Sequence, residues 1–263
     1  MRIPPDHPRA KSLETREKLI EQYAKGVVTP AGLIAHGRGE AFDYLLGEKT
    51  TSLALKAIEA GAAAMLLAEK PVISVNGNVA ALAAEDVTKL SQVTEAKIEV
   101  NLFYRSLERE RAIQKLLEKA GAKEILGVGK NASARIPELS SERRRVDPTG
   151  IYVADVVLVP LEDGDRTQAL VKMGKKVIAV DLNPLSRTAQ KASITIVDNI
   201  VRAAPKLTEA AKELKKEDKK RCKRILANFD NRKNLNESII LINEKLSKLA
   251  KEQKVFTLGG KRT

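Results

Sequence analysis

Between residues 71 and 200 the chain alternates short β-branched runs with longer helical stretches, and that alternation leaves few folds open. The run at 72–75 precedes an Ala-rich helix at 79–90, and the run at 97–102 precedes a charged amphipathic helix at 106–120. A further run at 153–159 precedes a helix at 164–173, and runs at 124–128, 177–180 and 194–197 complete the set. Strands alternating with helices predict a Rossmann-like α/β fold, a parallel sheet of about six strands with helices on both faces. Right-handed crossovers then place every strand-to-helix loop on one edge, where open α/β sheets bind ligands. Residues 8–67 and 202–251 read as helical, so helical segments flank the sheet at both ends. The length of 263 residues suits one α/β domain. The expected organisation is a helical N-terminal region at 1–70, a parallel-sheet core at 71–201 and a basic helical extension at 202–263.

Composition narrows the class. Hydrophobic residues make up 43% and aromatics only 3%, so the core must be built from Ala, Leu, Ile and Val. The apolar run around 60–68 is too short to span a bilayer, and the opening MRIPPDHPRAK lacks the apolar core of a signal peptide. A cytoplasmic protein without a membrane partner is expected. One cysteine, Cys222, and two isolated histidines, His7 and His36, leave no internal disulfide and no metal cluster. The net charge is +13, and 18 Lys/Arg against 8 Asp/Glu fall at 202–263. A basic helical face suits nucleic acid, a partner chain or plain solvated surface, and nucleic acid is the less favoured of these. Leu235, Ile239, Ile242, Leu246 and Leu249 form a heptad-like seam shorter than a coiled coil needs.

The most polar strand ends lie at 177–200, VIAVDLNPLSRTAQKASITIVDNI. One strand ends in Asp181-Leu182-Asn183 and the next in Asp198-Asn199, with a Pro-Leu-Ser-Arg-Thr turn between them. Carboxylates and amides there suit a ribose or a base, and Arg187 with Thr188 suits a phosphate. No Walker A loop occurs, and Gly127-Val128-Gly129 lacks the third glycine of a dinucleotide fingerprint. Asparagines recur at strand ends: Asn76, Asn78, Asn101, Asn131 and Asn183. Each is a good turn residue, but several on one edge also suit a small polar substrate. Arg105, at the start of a helix, is the candidate phosphate ligand. The basic loop Arg143-Arg144-Arg145 reads as surface or as a cover over phosphates, with surface favoured. Gly37 and Gly39 flank Arg38, which points to a flexible collar that lets the backbone approach a ligand. His36 beside them is a structural loop histidine or, less often, an acid or base.

At these residues the sequence resembles the archaeal 4-phosphopantoate–β-alanine ligases, the phosphopantothenate synthetases. The matching stretches are Ile3-Pro-Pro-Asp-His-Pro-Arg with Ser12-Leu-Glu-Thr-Arg, residues 32–51, Val75-Asn-Gly-Asn-Val-Ala-Ala-Leu, residues 127–137 and residues 180–200. The resemblance implies an ATP-dependent, AMP-forming ligase of coenzyme A biosynthesis. It implies condensation of 4-phosphopantoate with β-alanine through an acyl adenylate. It also implies ATP contacts at Arg16, Arg38, Asp181, Leu182, Asn183, Arg187, Thr188, Asn199 and Ile200, Mg²⁺ accompanying ATP without protein ligands, and a homodimer. Asn76, Asn78, Asn101, Arg105 and Asn131 are then the candidates for 4-phosphopantoate. No residue presents itself as the base for the β-alanine amine. A small-molecule kinase on the same sheet and a nucleic-acid-binding protein are the alternatives.

Overall fold

The computed structural model describes residues 4, 6, 7, 9–161 and 163–252. The matching stretch around Ile3, and the ends of the expected 1–70 and 202–263 regions, lie partly outside the described residues. Three helices come first: α1 (Ala10–Ala24), α2 (Pro30–Leu46) and α3 (Ser52–Leu67). Alternation then begins with β1 (Pro71–Val75), α4 (Gly77–Thr94), β2 (Lys97–Val100), α5 (Leu107–Lys119) and β3 (Ile125–Leu126). Two short strands follow, β4 (Ala134–Arg135) and β5 (Arg145–Val146). The second half runs β6 (Val156–Pro160), α6 (Gly164–Lys172), β7 (Lys176–Val180), α7 (Arg187–Lys191) and β8 (Ile194–Ile196). The chain closes with α8 (Ile200–Lys215), α9 (Lys219–Asn228) and α10 (Asn231–Lys251).

Six strands form one sheet in the order β3-β2-β1-β6-β7-β8, every pair parallel, as the alternation predicts. The order reverses between β1 and β6, which makes a topological switch point. Strands β1 and β6 are buried throughout, as strands covered on both faces must be. Alternate residues serve opposite faces. Ile73, Val75, Leu158, Ile178, Val180 and Ile196 pack with α3, α4 and α8, while Val72, Val157, Val159, Val177 and Ala179 pack with α6 and the segment around Ile136 and Ile151.

Four details depart from the sequence reading. Residues 30–46 are helical, so Gly37 and Gly39 sit inside α2 rather than in a flexible collar. Thr29 caps that helix, Pro30 takes its first position and Gly47 ends it at φ +93°, signals strong enough to carry two interior glycines. The Ser-Arg-Thr turn is a short helix, α7, capped by Ser186. The tail is three helices rather than one stretch. Finally, β4 and β5 pair antiparallel, Ala134 with Val146 and Arg135 with Arg145, and are too short to leave a sequence pattern.

The edge strand β8 pairs only with β7. Its outward groups at Thr195 are taken by α10: the Thr195 N–H donates to Asn231 Oδ1 at 2.7 Å, and Asn234 Nδ2 donates to the Thr195 carbonyl at 2.9 Å. A small cluster of Leu46, Leu182, Ala189, Val197 and Leu235 then ties α2, the loop after β7, α7 and α10 together. The basic tail is therefore part of the frame around the strand ends.

Candidate functional site

A cleft opens at the switch point, beyond the ends of β1 and β6. Asn76 builds its floor: Oδ1 accepts the Val79 N–H at 3.1 Å and caps α4, while Nδ2 donates to the carbonyls of Pro160 at 3.1 Å and Leu161 at 3.0 Å. Both ends of this amide are spent in joining the two halves of the sheet. Gly77 follows because nothing larger fits; an added Cβ would lie 2.2 Å from the Val27 carbonyl oxygen and 2.6 Å from Arg109 Nη2. Asn78 Nδ2 donates to the Gly32 carbonyl at 2.8 Å and docks α2 over the cleft. The remaining walls come from His36 and Arg38 on α2, from 102–104, and from Arg109, Arg143 and Asp163.

Of two further arginines in this cleft, Arg109 was not assigned a role by the sequence and Arg143 was read as surface or as a cover over phosphates. Arg109 donates through Nε to the Val27 carbonyl at 3.0 Å and through Nη1 to the Tyr104 carbonyl at 2.6 Å. Among the described residues it has no carboxylate partner. Burial and the nearby Arg143 charge push its pKa down to about 10. Such a site favours an anion that would restore the balance of charge. Arg143, expected at the surface, is 8% exposed and its Nε lies 3.0 Å from Asp163 Oδ2. Asp163 in turn caps α6 through the Arg166 N–H at 2.8 Å.

Other candidate residues hold the scaffold. The Arg105 and Glu110 side chains are each 3% exposed and form an ion pair. Arg105 also donates to the carbonyls of Gly127 and of Arg145, the latter at 2.9 Å. It pins α5 to the segment carrying β4 and β5, and it does not stand among the residues lining the cleft. The phosphate role expected of Arg105 does not fit these contacts, because a guanidinium spent on a carboxylate and two carbonyls has little left to offer. Asn101 is fully buried, with Nδ2 donating to the carbonyls of Arg143 and Arg145 at 3.1 Å each. Asn131 closes a single exposed turn away from the cleft lining.

The expected nucleotide residues gather at the ends of β7 and β8. Asp181 accepts the Asn183 N–H at 2.9 Å and the Ser186 hydroxyl, and Asn183 Oδ1 accepts the Leu185 N–H at 2.9 Å. Burial pushes the Asp181 carboxyl up, opposed by Ser186, the Asn183 N–H and the charge of Arg38. Arg187 is mostly exposed and reaches Asp165 at 2.7 Å and Gln168 Oε1 at 3.0 Å. Leu182, Thr188 and Ile200 are buried, so their side chains belong to the core. Asn199 caps α8 and donates through Nδ2 to Asp43 Oδ2 at 3.0 Å. Beside it Arg202 forks onto Asp43, at 2.6 and 3.0 Å, and bonds Asp198 at 2.8 Å.

Helices α1 and α2 complete the surroundings. Arg16 forks onto Glu40 with contacts of 2.7 to 3.1 Å, and Ser12 and Tyr44 donate to the same carboxylate. Burial works to raise the Glu40 carboxyl, but these donors hold it below its ordinary value. Arg38 is exposed on α2, between the switch-point cleft and Asp181. Gly39 faces the β7 loop; a Cβ there would make an ordinary contact with Leu182 Cδ1 at 3.5 Å. Among the described residues no three His, Cys, Asp or Glu side chains gather to hold a metal ion. No helix among them is long and apolar enough to cross a membrane.

Comparison with known proteins bears on this arrangement. The model of the family described as phosphopantothenate/pantothenate synthetase matches residues 53–245. A 4-phosphopantoate–β-alanine ligase of Thermococcus onnurineus is 55% identical over 251 residues, covering 95% of each chain. That of Thermococcus kodakarensis is also 55% identical, over 95% of each chain. That of Methanosarcina mazei is 53% identical over 95% of this chain and 98% of its own. Together with a parallel sheet whose strand ends carry this polar edge, these matches show that the chain belongs to the phosphopantothenate/pantothenate synthetase family.

Proposed function

We propose that the protein is an ATP-dependent, AMP-forming ligase that joins 4-phosphopantoate to β-alanine, giving 4′-phosphopantothenate for coenzyme A biosynthesis. The observation that carries this reading is Arg109, a guanidinium that has no carboxylate partner among the described residues and that lines the switch-point cleft together with Arg38. Relatives of the same length that bear this activity in their names support it.

In this reading 4-phosphopantoate lies in the switch-point cleft. Its phosphate meets Arg109, backed by Arg143, in place of Arg105. Asn78 keeps Oδ1 for a substrate hydroxyl, while Asn76 and Asn101 shape the cleft from behind. ATP lies along 181–188, with Asp181 and Asn183 toward the nucleoside and Arg187 and Thr188 toward the phosphates. Asn199 and Ile200 form the second wall. Arg38 stands where the two ligands meet. Arg16 reaches the nucleotide by sharing or leaving Glu40.

The chemistry follows from charge. The substrate carboxylate is already ionised at neutral pH, so its attack on the α-phosphorus needs no base. The P–O bond to pyrophosphate breaks, and negative charge grows on the leaving group. Preorganised guanidinium groups stabilise charge developed in this way. Mg²⁺, carried on the triphosphate, would supply further neutralisation. The amine of β-alanine then attacks the acyl adenylate and AMP departs. The test is a product assay with ATP, 4-phosphopantoate and β-alanine. AMP should appear, and pyrophosphate should accumulate over many turnovers, only with both acids present; ADP would instead support the kinase reading.

A further inference from the structure

The second half of the reaction needs a proton acceptor; the sequence assigned none to the β-alanine amine, though it left His36 open as an acid or base. His36 lines both the switch-point cleft and a second hollow between α1, α2 and the start of α8, where Glu40, Asp43, Asn199 and Arg202 meet. It is half-buried, and its imidazole makes no hydrogen bond among the described residues. It is thus held by packing alone, at the passage between the proposed acyl and nucleotide sites. Two residues on, Arg38 stands between the cleft and the β7 loop.

We propose that His36 is the base that removes a proton from the β-alanine nitrogen as it attacks the acyl adenylate. This rests on the ligase reading given above. β-Alanine loses one proton to water to become a neutral amine. Its nitrogen lone pair then forms the C–N bond to the acyl carbon. The C–O bond to the adenylate phosphate breaks, and its electron pair leaves on the phosphate oxygen of AMP. The nitrogen becomes strongly acidic once bonded to carbon, and a His36 ring nitrogen takes its second proton and passes it to solvent.

The surroundings suit a base rather than a cation. Burial pushes the imidazole pKa down from its ordinary value. Of the charged groups facing it, Glu40 and Asp43 on α2 act to raise it, while Arg16 on α1 acts to lower it. Arg38 on α2, Arg109 on α5, Arg143 and Asp163 across the cleft, and Arg202 on α8 line the same two spaces, as do His7, Arg9, Lys11 and Glu48 at the second hollow. Glu40 is tied to Arg16, and Asp43 to Arg202, so neither carboxylate is free to hold the imidazole in its charged form. Burial thus favours the neutral form of His36, the form able to accept a proton.

The test separates the half-reactions in His36→Asn and His36→Gln. Pyrophosphate–ATP exchange with 4-phosphopantoate reports adenylation, and AMP release with β-alanine reports the whole reaction. Both variants should keep exchange within about twofold of wild type. Both should lose about 100-fold or more in turnover with β-alanine, in the range of a lost general base. Hydroxylamine, which attacks acyl adenylates without a base, should still yield the hydroxamate at near wild-type rate. The inflection that His36 adds to the wild-type pH profile should vanish in both variants, leaving only the rise set by ionisation of the β-alanine amine. Wild-type turnover with β-alanine, or equal loss of exchange and ligation, would overturn the assignment. Absence of exchange in the wild-type enzyme would overturn the ligase reading itself, and this inference with it.

Discussion

Two arginines four residues apart divide the labour of structure and binding. Arg105 is buried against Glu110 and two carbonyls, so its removal leaves a buried carboxylate unpaired. Arg105→Ala should cost about 3–5 kcal/mol of stability, read by urea unfolding. Unchanged stability with selective loss of 4-phosphopantoate affinity would restore Arg105 to the phosphate site. Among the described residues Arg109 has only carbonyl partners, and it faces the cleft. Arg109→Ala should raise the KM for 4-phosphopantoate about 10- to 100-fold, the worth of a lost charge-assisted contact, and leave unphosphorylated pantoate little affected. Equal effects on both compounds would remove the phosphate from Arg109. In sequence both arginines open one charged helix, and nothing there tells which turns inward to Glu110. Arg143 is similar: a run of three arginines reads as surface, and only the pairing with Asp163 reveals the first of them as buried.

At the scale of elements, the tail shows how a basic helix can serve the sheet. Asn231 supplies the acceptor and Asn234 the donor that the edge strand β8 lacks at Thr195 on its open side. Asn231 Nδ2 also bonds the carbonyls of Ala189 and Ala192, at 3.1 and 3.0 Å, holding α7 in place. Edge strands with unpaired backbone groups invite association, and side-chain amides are one way to satisfy them. Asn231→Ala should lower stability by about 1–3 kcal/mol, because the Thr195 N–H and two carbonyls lose their partner. Thermal unfolding checks this, and an unchanged midpoint would mean that water replaces the amide at no cost. Helix α2 carries a related lesson. Its glycines suggest a loop, but Thr29, Pro30 and Gly47 mark a helix from cap to cap, and those signals outweigh a cost of about 1 kcal/mol per interior glycine.

Over the whole molecule, stability is coupled to pH through one group beneath the sheet. Glu99 on β2 is fully buried, and its oxygens accept the N–H groups of Asp147 at 2.9 Å and Ile151 at 2.6 Å. Burial nevertheless dominates and pushes its pKa up to about 7 from 4.5. The folded protein thus binds this proton more tightly than the unfolded chain. The contribution is complete below pH 4.5 and is lost as pH rises through about 7, some 3 kcal/mol in all, at about 1.4 kcal/mol per pKa unit. Unfolding free energy should therefore fall between pH 5 and 8, and Glu99→Gln should be less stable but flatter across that window. A wild-type profile as flat as the variant's would refute the coupling. The parallel sheet and the polar ends at 181–183 and 198–199 were legible in the sequence. Strand period, crossover handedness and strand-end chemistry are local properties, carried by neighbouring residues. Strand order, the β1/β6 cleft and the partners of each arginine were not, because they join residues far apart in the chain. The sequence by itself determined the fold class and the polar edge at the strand ends. Only the tertiary structure decided that Arg105 is spent on Glu110 and that Arg109 and His36 face the cleft, since a side chain's role depends on which distant partner has already taken its charge.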